Sequence, residues 1–322
     1  MSPRLRILFA FLVVYLVWGS TYFAILFVVE SVPPLIGMGT RFACAGIILF
    51  ALARARGEAS PSALQWRSSA IVGGLLFLAG NGGVAWAESQ GLASGTASLL
   101  VATMPLWMTL IARVRGERTP PAALLGLAIG FVGTALLVRP GAGAPAQALV
   151  VACGAGGWAL GSLLARELPL PKTGMMAAGT QMLAGGALLL LAGIVRGESL
   201  PSLADISRDA VLGWLYLVVF GSVIAFSAYS FLLRHVSPAK VGTYAYVNPV
   251  VAVLLGALVG EPIESTTVWA MALVLGGVAV TVATRRPAAA KPTDGSTDRS
   301  TASSSALSAV AGPLQPARER AT

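Results

Sequence analysis

The chain has 322 residues, of which 56% are hydrophobic and 11% charged, with a formal net charge of +9. Soluble domains carry about 25% charged residues, so this composition excludes a soluble globular protein and describes one that lies mostly within a lipid bilayer. The basic residues gather at the ends of apolar runs, as membrane topology requires, and that distribution speaks against nucleic-acid binding.

In chain order, ten runs are predicted to span the membrane as helices: roughly 7–29, 35–53, 68–87, 93–112, 121–138, 147–165, 174–195, 210–233, 238–259 and 265–284. Each is close to the ~20 residues needed to cross the hydrocarbon core. Arg4 and Arg6 precede the first run, but it is too long for a signal peptide and shows no small-residue cleavage site. It is read as a retained helix. Residues 285–322 are rich in Ser, Thr, Pro, Ala and charge, without apolar periodicity, and are expected to be a disordered cytoplasmic tail. Cys44 and Cys153 lie inside apolar runs and read as small packing residues. With His235 the single histidine, no metal, cofactor or disulfide is expected.

The chain contains one five-helix unit twice. Arg56-Gly57-Glu58 recurs 140 positions later as Arg196-Gly197-Glu198, and at that offset Trp18 falls on Trp158, Gly46 on Gly186 and Pro61 on Pro201. After a slip of four, Pro105 falls on Pro249, Gly116-Glu117 on Gly260-Glu261 and Gly133 on Gly277. A unit with an odd number of spans re-enters the bilayer upside down when duplicated. The expected architecture is therefore all-α and polytopic, with ten transmembrane helices as two inverted five-helix repeats. The repeats are placed at 1–138 and 147–284, joined by a linker at 139–146.

Placing both termini in the cytoplasm puts Arg4, Arg6, Arg54, Arg56, Arg67, Arg113, Arg115, Arg118, Arg166, Lys172, Arg234, Lys240, Arg285 and Arg286 inside. The other side receives only Arg139, Arg196 and Arg208. That asymmetry sets the expected orientation.

Four groups of residues could carry transport. Trp18-Gly19-Ser20-Thr21-Tyr22 lies mid-way along the first helix, where Ser and Thr can bond to the preceding turn and the aromatics offer flat faces with one donor each. The cluster reads either as a cavity wall or as helix packing; Trp158 leads a looser echo in the second unit. Pro105 and Pro249 occupy matched interior positions, and each removes a helical hydrogen bond. Asn248, next to Pro249 and beside Tyr244 and Tyr246, offers a donor and an acceptor at mid-membrane depth. Broken helices at matched sites point to a central binding site, the alternative being a kink that only shapes the bundle. Arg41, inside the second helix, needs compensation, and Glu30 and Glu88 at neighbouring helix ends are the expected partners. That set reads as an outer ion pair or as an anion clamp or gate. Finally, no carboxylate lies at mid-span, so proton coupling, if present, would run through Glu88. Asn81 is a further polar group within a span, suited to substrate or to a neighbouring helix.

Trp18-Gly19-Ser20-Thr21-Tyr22-Phe23, Pro33-Pro34 before Arg41-Phe42, Gly80-Asn81-Gly82, Pro105-Leu106, and Ser237-Pro238 with Tyr244-Ala245-Tyr246-Val247-Asn248-Pro249-Val250 together resemble the EamA family of the drug/metabolite transporter superfamily. The resemblance covers about residues 7–284 and is nearest to the family's YedA-like branch. It implies a multi-pass protein of a bacterial inner membrane that exports small metabolites, amino acids or drugs. It also implies a cavity lined by helices one, three, four, six, eight and nine. On that map Trp18, Tyr22, Asn81, Trp158, Tyr244 and Asn248 move toward the cavity and Arg41 away from it.

The expected function is a secondary exporter of small solutes working by alternating access, as a monomer or a weak homodimer. A nucleotide-sugar or sugar-phosphate exchanger would want several basic residues in the cavity, and Arg41 alone lies within a span. An intramembrane enzyme is the weakest alternative, since His235 lacks an acidic orienter and the spans lack clustered acids for a metal ion.

Overall fold

Helix boundaries follow the punctuation of the sequence. Our computed structural model describes residues 2–138, 144–236, 243–261 and 263–284. Prolines open α1 (Pro3–Val29), α2 (Pro34–Ala55), α5 (Pro121–Val138) and α6 (Pro145–Glu167), where a missing N–H costs nothing. Hydroxyl caps open α3 (Ala63–Ser89), α7 (Gly174–Val195) and α8 (Arg208–Tyr216 continuing through Leu217–Ile224 and Ala225–His235). The remaining elements are α4 (Ser94–Val114), α9 (Tyr244–Leu258) and α10 (Ser265–Thr284). Gly57 and Gly197, at φ +80° and +79°, end α2 and α7 in the left-handed conformation that glycine adopts without strain.

Nine of these helices are long and apolar enough to cross a membrane, while α9, with 15 residues, is shorter. The span expected at 238–259 thus begins at Tyr244, with residues 237–242 outside the described set. Also outside it are most of the linker (139–143), the tail (285–322), Ser237-Pro238, and the topology residues Arg139, Lys240, Arg285 and Arg286.

The two copies are inverted, and the repeated Arg-Gly-Glu displays it. Glu198, just past the end of α7, accepts hydrogen bonds from the Leu35 and Ile36 amides at the start of α2, at 3.1 and 3.0 Å. Its counterpart Glu58, just past α2, accepts from the hydroxyl of Thr173, which caps α7. Equivalent helices therefore run antiparallel, each tail capping the other's head. Glu261, past α9, likewise accepts from the amide and hydroxyl of Ser94 at the start of α4, at 3.0 and 2.8 Å. A carboxylate at a helix N-terminus meets both unpaired N–H groups and the positive end of the dipole.

The same symmetry governs packing. α2 lies along α7 and α5 along α10, each helix against its own copy; α1 packs on α9 and α8 as α6 packs on α4 and α3. Glycines permit the close seams. A Cβ on Gly277 of α10 would stand 2.5 Å from the Gly130 amide nitrogen of α5, and one on Gly46 would stand 2.8 Å from the Leu183 nitrogen of α7. In lipid such backbone proximity, rather than expulsion of water, holds helices together.

Candidate functional site

Four of the central helices lose their regular hydrogen-bond ladder at mid-length. α3 passes through a π-helical stretch at Gly74–Gly82 and α8 through one at Leu217–Ile224, matched positions in the two copies. Such stretches mark places where a helix has been bent to serve a site. α4 breaks at Ala102-Thr103, just ahead of Pro105, and Pro249 lies inside α9. Proline withdraws the N–H that the carbonyl four residues earlier would accept. Those carbonyls belong to Val101 and Ala245.

Around these irregularities lies a cavity, and Val101 and Ala245 both stand in its wall. Of the residues singled out from sequence, it brings together Trp18, Thr21, Tyr22, Arg41, Asn81, Trp158, Tyr244, Asn248 and Pro249. Ser20 and Tyr246 are not in the wall. The Ser20 hydroxyl turns to the Tyr216 hydroxyl at 2.6 Å, and Tyr246 packs against the hydrophobic core. Pro105 stays behind its neighbour Met104.

Two tryptophans line the cavity in repeat-related settings. The Trp18 indole N–H donates to the Gly221 carbonyl in the irregular stretch of α8 at 3.1 Å. Trp158 lies over Gly80 in the irregular stretch of α3, its ring 2.7 Å from where a Cβ would sit. Trp18 also packs edge-on to Tyr244 and Phe226 and tilted against Tyr229, with centroids 5.1 to 5.4 Å apart. With its amide nitrogen turned toward α1, Asn248 donates to the carbonyls of Tyr244 at 3.1 Å and Tyr15 at 3.2 Å. It thereby ties the proline turn of α9 to α1. The Thr21 hydroxyl donates to the Trp18 carbonyl at 2.6 Å, the back-bond expected of a threonine within a helix.

Arg41 is the main correction. The sequence pairs it with Glu30 or Glu88, and the resemblance moves it away from the cavity. In the structure it is buried in the cavity wall and forms no ion pair among the described residues. Its Nε donates to the Ser222 hydroxyl at 3.1 Å, Nη1 reaches the Met38 sulfur at 3.6 Å, and the guanidinium lies 4.5 Å from the Phe42 ring centre. The reason is the direction of the side chain: α2 lies flat against α7, and only the face bearing Arg41 and Phe42 turns inward. Glu30 ends α1 as an exposed C-cap. Glu88 is buried one turn beyond the wall residue Val84, and both its oxygens lack a hydrogen-bond partner among the described residues.

Sequence reasoning missed Phe226, Ser98, Gly80 and Gly221 as wall residues. The two glycines carried a signal, since they stand 141 positions apart. A one-residue slip relative to the main repeat hid it.

Inverted repeats, broken helices and a cavity between them recur among membrane transporters. The EamA-like transporter family model matches residues 5–139 and 146–283, and the chain belongs to that family. It is similar to the uncharacterized inner membrane transporter YedA of Escherichia coli K12, with 43% identity over 269 residues, 83% of this chain and 86% of that one. A probable amino-acid metabolite efflux pump of Salmonella typhimurium is 23% identical over 85% of this chain and 94% of its own. A solved crystal structure, 26% identical with a TM-score of 0.56, covers 89% of this chain and 100% of its own. The chain is thus a membrane transporter, not an enzyme.

Proposed function

We propose that this transporter exports small, partly apolar solutes (metabolites, amino acids or amphiphilic drugs) across a bacterial inner membrane by alternating access. Ten crossings place both termini in the cytoplasm, the orientation favoured by the Lys and Arg asymmetry. The carrying observation is the aromatic-walled cavity at the point where the matched broken helices of the two repeats meet. Rocking of one repeat against the other would expose that cavity to each side in turn. The names of the relatives, an inner membrane transporter and a probable efflux pump, support the direction and the compartment.

The test is flux. Purified protein in liposomes should accelerate efflux of at least one member of a broad panel of amino acids and amphiphiles, and Trp18→Ala and Asn248→Ala should each slow it on the order of tenfold or more. No flux for any solute would sink the reading. A nucleotide-sugar or sugar-phosphate exchanger fits less well, because Arg41 is the single cation among the described wall residues.

A second reading is favoured by Glu88, whose buried oxygens have no hydrogen-bond partner among the described residues. It carries a proton exchanged for the outgoing solute. Liposomes loaded with a pH dye would follow that proton. Glu88→Gln should abolish the dye signal, and a signal that persists in this variant would rule Glu88 out.

A further inference from the structure

We propose that the cavity selects monoanionic, carboxylate-bearing amphiphiles, with Arg41 receiving the carboxylate. The inference narrows the transport reading and rests on the cavity being its site.

Arg41 is 4% exposed and stands in the cavity wall. A guanidinium stays protonated in proteins, and within a membrane its charge must be compensated. Its partners here are a neutral hydroxyl, a thioether and an aromatic face, and none carries a full negative charge. Nη2 has no hydrogen-bond partner among the described residues, and it lies 3.2 Å from the position a Cβ on Gly221 would take. The bond from Nε to Ser222 fixes the plane of the group, and Nη2, with the Nη1 hydrogen not turned to the Met38 sulfur, is left for a ligand. That paired edge matches the two oxygens of a carboxylate.

The rest of the wall sharpens the choice. Among its described residues Arg41 is the only charged one, and a bound monoanion sets a full negative charge against it. A cationic amphiphile is repelled. A zwitterion gains at its carboxylate but buries an ammonium group that meets no acid in the wall. A phosphate dianion brings more charge than one arginine can balance. The rings of Trp18, Tyr22, Trp158, Phe226 and Tyr244 receive a flat apolar body. The counterpart of Arg41 in the second repeat is Gln181, so the inverted frame does not itself require a cation here.

Purified full-length protein in detergent, read by tryptophan fluorescence, tests this with one ring system carrying different heads. The probes are 1-naphthoate, 1-naphthamide, naphthylalanine, naphthylmethylammonium and naphthyl phosphate. The acid should bind on the order of ten- to hundredfold more tightly than the amide, the worth of a hydrogen-bonded charge. The zwitterion, the ammonium and the phosphate should all bind more weakly than the acid. In Arg41→Gln the acid-to-amide affinity ratio should collapse toward one. Gly221→Ala, which presses on Nη2, should lower the same ratio. Should Arg41→Gln fail to fold, the wild-type ranking and Gly221→Ala still decide. Equal binding of acid and amide, or a preference that survives in Arg41→Gln, overturns the proposal. Selective binding without flux would defeat the export reading and leave this one standing, whereas flux without acid preference does the reverse.

Discussion

In the cavity wall stand two versions of the same helix. In α3 a π-helical stretch brings Gly80 and Asn81 to the wall, with Trp158 packed on the glycine; in α8 a matching stretch brings Gly221 there, with Trp18 bonded to its carbonyl and Ser222 behind it on Arg41. The frame is shared, but the charges are not. The first repeat contributes Arg41 and buries Glu88, where the second has Gln181 and, 141 positions after Glu88, Tyr229. Duplication thus supplied a symmetric bundle, and divergence of a few side chains left its buried charged groups on one side of that symmetry. The glutamate clasps, the irregular stretches and the wall tryptophans occur twice; Arg41 and Glu88 occur once.

That division is open to attack, beginning with the frame. Gly277→Ala places a Cβ 2.5 Å from the Gly130 nitrogen in the seam between α10 and α5. It should destabilise by about 3 kcal/mol or abolish folding, measured as a loss of detergent-solubilised monodisperse protein or a fall in melting temperature. Next come the clasps. Glu198→Ala should cost about 1–2 kcal/mol, the worth of a helix N-terminal cap, and Glu58→Ala should cost a similar amount, since each carboxylate serves the start of its partner helix. Thermal unfolding of the pair measures how equal the two halves are; a loss confined to one variant would break the comparison. Arg41→Gln should leave the melting temperature level or raise it by the equivalent of about 1 kcal/mol, because it removes a buried charge that no anion partners. A large fall there would make Arg41 part of the frame rather than of recognition. The smallest effect belongs to Gly276→Ala, adjacent to Gly277 but with nothing within 4 Å of the new Cβ. It should be neutral or stabilising by under about 1 kcal/mol, through helix propensity alone.

Much of this was legible in the linear chain. The spans are single-turn-accurate at most ends because bilayer thickness demands apolar runs of one length, and prolines and glycines mark where those runs stop. The cavity set was legible in part. Trp18, Trp158 and Pro249 stand out because the repeat gives each a counterpart at a matched offset. Asn248 stands out because polar groups are rare in spans. Ser20 and Tyr246 misled because successive residues on a helix point in different directions, so a position next to a wall residue need not face the cavity.

The sequence by itself determined that this is a duplicated membrane bundle with the two copies opposed, because hydropathy, parity and a repeated tripeptide are properties of the chain's order. Only the tertiary structure decided what the repeated glutamates hold, which way Arg41 faces, and that Glu88 is left without a hydrogen-bonding neighbour among the described residues. These are matters of side-chain direction and of contact between segments more than a hundred residues apart. A one-dimensional pattern carries period and composition, but it does not carry the rotation of one helix against another, and that rotation chooses which charges meet.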